Sequence, residues 1–177
     1  MNVDRYEEPL RSLFYEDPET LARLDCVASA DLPPPFRQLL DHHSHMTVTV
    51  EQFHGAPVTV QVLQQRFEGD RYLREIILRT TAESPKVALY GIVDLNLSVL
   101  DPQVRSEILA GKSPLGRILI EHQVLRKVTL ERLYRVSPGP QLVRLMEGCQ
   151  GSPLFGRSAR IDLNGHPALK LLEIVGL

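Results

Sequence analysis

A chain of 177 residues with 43% hydrophobic and 24% charged residues is long enough for one packed core and is neither disordered nor fibrous in composition. Its net charge of -2 provides no basic footprint for nucleic acid or for an acidic membrane surface. No apolar run approaches the roughly 20 residues that span a bilayer, the first residues are acidic instead of leader-like, and Cys26 and Cys149 stand alone without zinc spacing. These features predict a single domain over residues 1–177 in a reducing cytoplasm, with no membrane and no nucleic-acid partner. No feature of the sequence specifies an oligomeric state.

Residues 1–45 read as a helical packing arm broken by proline. Residues 18–24 have the form of a short helix start, residues 31–35 of a stiff extended link, and residues 36–40 of another turn or two of helix. His42, His43 and His45 follow without a cysteine or carboxylate at metal-ligand spacing, so they read as surface-loop histidines and no metal is expected.

From Met46 the hydrophobic period changes to two. Residues 46–53 and 58–63 both alternate, with Gly55-Ala56-Pro57 between them, which predicts a hairpin. Gly69-Asp70 then turns the chain into residues 72–78, where Tyr72, Arg74, Ile76 and Leu78 fall on one strand face. A guanidinium on that otherwise apolar face must reach solvent, pair with a structural carboxylate or meet an anion. Residues 86–95 form a further apolar, β-branched run suited to pair with the arginine strand.

The middle of the chain is helical in pattern. Asp101-Pro102 opens a helix that Gly111 closes after Ala110. Ser113 can then cap a second helix with Pro114 as its first residue, which leaves backbone N–H groups free near Leu115 and Gly116 for capping or for a ligand oxygen. Strands return at residues 124–136 and 155–163, and Asn164-Gly165 is a strong two-residue hairpin turn into the last strand. On that last strand Leu169, Leu171, Glu173 and Val175 share a face, and on its partner Arg157 shares one with Phe155, Ala159 and Ile161. One inward carboxylate and one or two inward cations indicate a polar ligand site in a sheet protein, although Arg74 and Glu173 could also form a structural pair. The order of elements predicts an α+β fold with a largely antiparallel sheet flanked by helices. Neither a glycine-rich nucleotide loop nor a nucleophile elbow is present.

The segments Ser44-His45-Met46-Thr47, Tyr72-Leu73-Arg74-Glu75-Ile76-Ile77-Leu78, Gly111-Lys112-Ser113-Pro114-Leu115-Gly116-Arg117 and Leu154-Phe155-Gly156-Arg157-Ser158-Ala159-Arg160 occur in that order before the glutamate strand. From about Leu39 to Val175 the chain thereby resembles the chorismate pyruvate-lyase (4-hydroxybenzoate synthase) family, in its divergent branch. The resemblance implies an enclosed, cofactor-free site in a chorismate lyase-like fold. There Arg74 and the Met46 backbone would hold the ring carboxylate, while the Leu115 backbone and the Glu173 side chain would meet the hydroxyl end. Arg157 falls on a family arginine as well. The implied activity is a carbon–oxygen lyase that eliminates pyruvate from chorismate to give 4-hydroxybenzoate, with Arg74 and Glu173 as catalytic residues. The same fold is similar to the effector-binding domain of winged-helix repressors, so the alternative expectation is a non-catalytic protein that binds a small aromatic acid.

Overall fold

The structure, a computed structural model, describes residues 8–147 and 151–177. The chain runs through α1 (Glu8–Arg11), a 3-10 turn, β1 (Ala22–Val27), α2 (Pro34–Leu40), α3 (Met46–His54), β2 (Val58–Glu68), β3 (Arg71–Thr80) and β4 (Val87–Asn96). It continues through α4 (Pro102–Ala110), α5 (Leu115–Glu121), β5 (Arg126–Pro138), α6 (Pro140–Leu145), β6 (Leu154–Leu163) and β7 (His166–Val175). Among the described residues, seven strands form one sheet in the order β1-β5-β6-β7-β4-β3-β2, and every neighbouring pair is antiparallel. The expected α+β class and antiparallel sheet are therefore the observed ones. None of the described helices is long and apolar enough to cross a membrane. Cys26 is exposed on β1, and Cys149 lies outside the described residues.

Two elements differ from the sequence expectation. Residues 18–24 are not a helix: the Asp17 side chain caps only the short 3-10 turn Pro18–Thr20, after which β1 pairs with β5 from Ala22 opposite Pro138 to Val27 opposite Leu133. A ladder formed with a strand more than a hundred residues away overrides a weak local preference. Residues 46–53 are likewise not a strand. The alternating run Thr47-Val48-Thr49-Val50 is wound into α3, which buries Met46, Thr47 and Val50 and ends at Gly55, whose φ of 63° is the left-handed conformation of a helix terminus. Burial at i and i+4 satisfies the helical period with the same residues that mimic a strand. The second helix start is shifted by one residue: Pro114, not Ser113, precedes the first helical residue of α5, and no side chain caps it.

The sheet carries apolar clusters on both faces. On one face, α1 and α6 pack through Leu10, Leu142 and Met146 against Ile77, Tyr90, Leu172 and Ile174. On the other, α2 and α3 cover Ile76, Leu78, Leu89, Phe155 and Val175, while α4 and α5 cover Val93, Ala159, Ile161 and Leu171. These two groups meet along a seam over the middle of the sheet.

Strand register decides what faces that seam. Asn164 and Gly165 both have positive φ (51° and 81°), as a two-residue type I′ turn requires, and Leu163 pairs with His166. Asp162 pairs with Pro167, but Ile161 pairs with Leu169, so Ala168 is an extra residue on β7. Pro167, which has no N–H to give a ladder, stands beside this bulge. Beyond it Arg157 lies directly opposite Glu173, and Glu173 lies opposite Gly91 on β4.

Candidate functional site

A cavity of ≈ 50 Å³ lies at the seam, lined by Met46, Arg74, Leu115, Arg157 and Glu173 among others. The structure thus brings together all five site residues expected from the sequence. Their elements explain why. Arg74 comes from β3 and Glu173 from β7, on either side of β4, whose Gly91 leaves the sheet floor between them without a side chain. Met46 and Leu115 are the first residues of α3 and α5, and the opening N–H groups of both helices have no acceptor within their own helix. The two helix starts approach closely because residue 116 is glycine: a Cβ there would come within 2.9 Å of Thr47 Oγ1 and 3.3 Å of His45 Nδ1.

The two inward arginines differ in their partners. Arg157 is 1% exposed, and its Nε donates to Glu173 Oε2 at 2.7 Å. Its Nη1 donates to the His42 carbonyl at 3.0 Å and the Leu40 carbonyl at 3.4 Å, and its Nη2 to the Ser44 carbonyl at 3.4 Å. Arg157 therefore fastens the segment between α2 and α3 to the sheet while neutralising Glu173. Arg74 is equally buried, but its Nε and Nη1 have no hydrogen-bond partner among the described residues. Its guanidinium carbon lies 5.9 Å from the Tyr72 ring centroid, a weak cation–π contact, while the Tyr72 hydroxyl donates to Gln65 at 2.7 Å. Burial works against the charged form of Arg74, partly offset by Tyr72. Arginine nevertheless keeps its proton in proteins, so the result is a buried, under-satisfied cation. A structural pair between Arg74 and Glu173 is not what forms: Glu173 is engaged by Arg157.

Sequence reading placed His45 on a surface loop, whereas it is buried against the cavity with Nε2 unpartnered among the described residues. The signal available was its position just before the first residue of α3. Burial, reinforced by Arg126 and Arg157, lowers its pKa from the ordinary 6.5 to about 4, so the ring is neutral at pH 7. His42 is lowered by burial and Arg157, and His54 by burial and Lys86. Between pH 6.5 and 4 the unfolded chain takes up a proton at residue 45 that the folded chain refuses, so stability rises with pH across that window. The two values predict a total loss on acidification of about 3 kcal/mol from His45, to which His42 and His54 add with the same sign. Urea midpoints at pH 7.5 and 4.5 should differ less in His45→Asn than in the parent chain. Equal differences would remove His45 as the responsible group.

On the opposite face of the sheet Glu75 is also buried. It accepts hydrogen bonds from Tyr15, from Tyr90 at 2.6 Å and from Gln64 at 2.8 Å. Burial together with Glu75 raises the pKa of both tyrosines, which keeps them as donors. This network is satisfied within the protein and holds the outer layer to the sheet.

No protein-family model and no curated protein sequence matches the chain. Solved structures do. PhnF from Mycobacterium smegmatis has a TM-score of 0.53 at 10% identity, over 75% of this chain and 64% of that one. YydK from Bacillus subtilis, a possible transcriptional regulator, has a TM-score of 0.43 at 12% identity over 68% of this chain and 57% of that one. The C-terminal domain of the histidine utilization repressor from Pseudomonas syringae has a TM-score of 0.45 at 10% identity over 68% of this chain and 92% of that domain. The chain thus spans less than two thirds of PhnF and of YydK.

These findings correct the expected enzymatic activity. The solved structure that shares the fold, PhnF, is not named as a lyase. Glu173, expected as a catalytic residue, is held in an ion pair with Arg157. Nothing in the likeness to PhnF supports the expected absence of a nucleic-acid partner. What the likeness to PhnF establishes is the fold, a helix-flanked antiparallel sheet of the chorismate lyase-like kind.

Proposed function

We propose that the chain is a non-catalytic binding domain for a small organic anion, with Arg74 as the anion-recognising residue. One observation carries the reading: a guanidinium 1% exposed, with two polar atoms unpartnered among the described residues, lines a cavity whose only lining carboxylate is already paired. A buried cation in that state costs free energy, and a planar carboxylate would supply the missing acceptors in bidentate form. The helix starts at Met46 and Leu115 would orient the remaining polar atoms of the ligand. An aromatic acid offers one charged end to Arg74 and an apolar ring that would extend beyond the ≈ 50 Å³ inner space. Sensing such an acid is the role in which this fold would need no reacting group.

Calorimetric titration with benzoate and 4-hydroxybenzoate tests the reading. Saturable binding that is lost in Arg74→Gln is the expected result, and incubation with chorismate should release no pyruvate. If neither acid binds, and inorganic phosphate and short aliphatic acids also produce no heat, the anion-site assignment fails. Gly91→Val supplies a steric check, because a Cβ at residue 91 makes ordinary contacts of 3.4 Å with Ile76 and Leu89 while pointing into the site. The variant should fold, since valine suits a strand, and bind benzoate at least about 10-fold more weakly.

A further inference from the structure

A second concavity lies directly outside the cavity. Its volume is ≈ 730 Å³, and it shares Ser44 and His45 with the cavity, so the His45 residue stands between the two spaces. The groove is floored by Val48, Val124 and Val128 and edged by Ile120 and Leu125, both large hydrophobic residues in contact with solvent. Leu125 is 71% exposed at the tip of the α5–β5 connection, where Gln123 adopts a positive φ of 50°. Among the described residues no acidic side chain lines the groove, and the one charged lining residue is Arg126.

We propose that cavity and groove form one divided ligand site whose ligand is an amphiphilic acid, with its carboxylate head at Arg74 inside and an apolar tail in the groove beyond His45. The inference rests on the anion-binding reading above and adds the rest of the molecule. Volume is the first argument. The inner space takes a carboxylate and the first atoms attached to it but not a whole ring, so a ligand anchored at Arg74 must continue past a wall. The direction is the second. His45 is the partition on the groove side, and its Nε2 has no protein partner among the described residues to hold the ring in place. Charge is the third: neither compartment presents an unpaired carboxylate, so an acid meets no repulsion along the path, and the apolar floor outside suits hydrocarbon.

The test compares benzoate with 4-hexyloxybenzoate by titration calorimetry on the full chain. The tailed acid should bind at least about 10-fold more tightly, since burial of even part of six methylene-sized groups suffices for that factor. Leu125→Asp, at an exposed position that tolerates a charge, should shrink the ratio to below about threefold, while Val143→Asp on α6 keeps it. His45→Ala should raise the association rate of benzoate at least about 10-fold by removing the partition. Tail-independent affinity, or a tail effect that survives Leu125→Asp, overturns the inference. Arg74-dependent benzoate binding without a tail effect overturns it while leaving the anion site standing. No binding of either acid removes both.

Discussion

Arg74→Met is expected to raise the melting temperature while abolishing anion binding. The wild-type side chain is buried with Nε and Nη1 unpartnered among the described residues, whereas methionine fills similar volume with no desolvated charge. Replacement of buried ionic groups by well-packed apolar ones stabilises by about 1–4 kcal/mol in comparable cases, which for a chain of this size is a shift of roughly 2–10 °C. Loss of two charge-assisted hydrogen bonds should at the same time weaken carboxylate binding by at least about 100-fold. Differential scanning fluorimetry with and without benzoate measures both effects in one series. A variant that melts lower than the parent would mean that Arg74 has a structural partner, and the anion-site reading would lose the observation on which it stands. Opposite signs for stability and affinity are expected of a residue kept for recognition at the expense of the fold.

Glu173→Ala is expected to do the reverse at the neighbouring arginine. Arg157 would keep its contacts to the carbonyls of the segment between α2 and α3 but lose the one carboxylate that neutralises it. Breaking a buried pair from one side typically costs about 3–5 kcal/mol, because the surviving charge stays desolvated. Denaturant unfolding should therefore show a large drop for Glu173→Ala and a smaller one for the double variant Glu173→Ala, Arg157→Met. The double-mutant cycle gives the coupling directly. A loss below about 1 kcal/mol in the single variant would show that Arg157 is not dependent on Glu173.

The contrast between Arg74 and Arg157 marks the limit of what the sequence made legible. Alternation placed both guanidinium groups on apolar strand faces, and the matched segments assigned both to one site; the cavity contains both. Which arginine was used up by the protein depended on the carbonyls of Leu40, His42 and Ser44, more than a hundred residues away, and no local pattern encodes those contacts. Local chemistry did suffice for α4, with Pro102 at its start and Gly111 at its end, and for the β6–β7 hairpin at Asn164-Gly165. It failed at residues 46–53, where alternating threonine and valine satisfied two periods at once, and at β1, whose conformation is imposed by β5. His45 was misplaced for a related reason: its burial comes from α5 packing against α3 through Gly116, a contact between helices whose existence at residue 46 was itself obscured.

Ala168 sets a counting rule for the site. If Ala168 were taken into the ladder opposite Ile161, Arg157 would face Leu172, and Glu173 would be carried to the other side of the sheet, leaving a carboxylate against the cluster of Tyr90 and Tyr134 and a guanidinium without its counter-ion. The ion pair is thus specified by the number of residues between a turn and a kink as much as by the identities of its members. A one-residue insertion between Leu169 and Glu173 should be far less tolerated than an insertion of the same length in the loop from Thr81 to Ser84, although both add little mass. In this chain the polar chemistry of the seam is written in the spacing of β7, in the count of residues as well as in their identities.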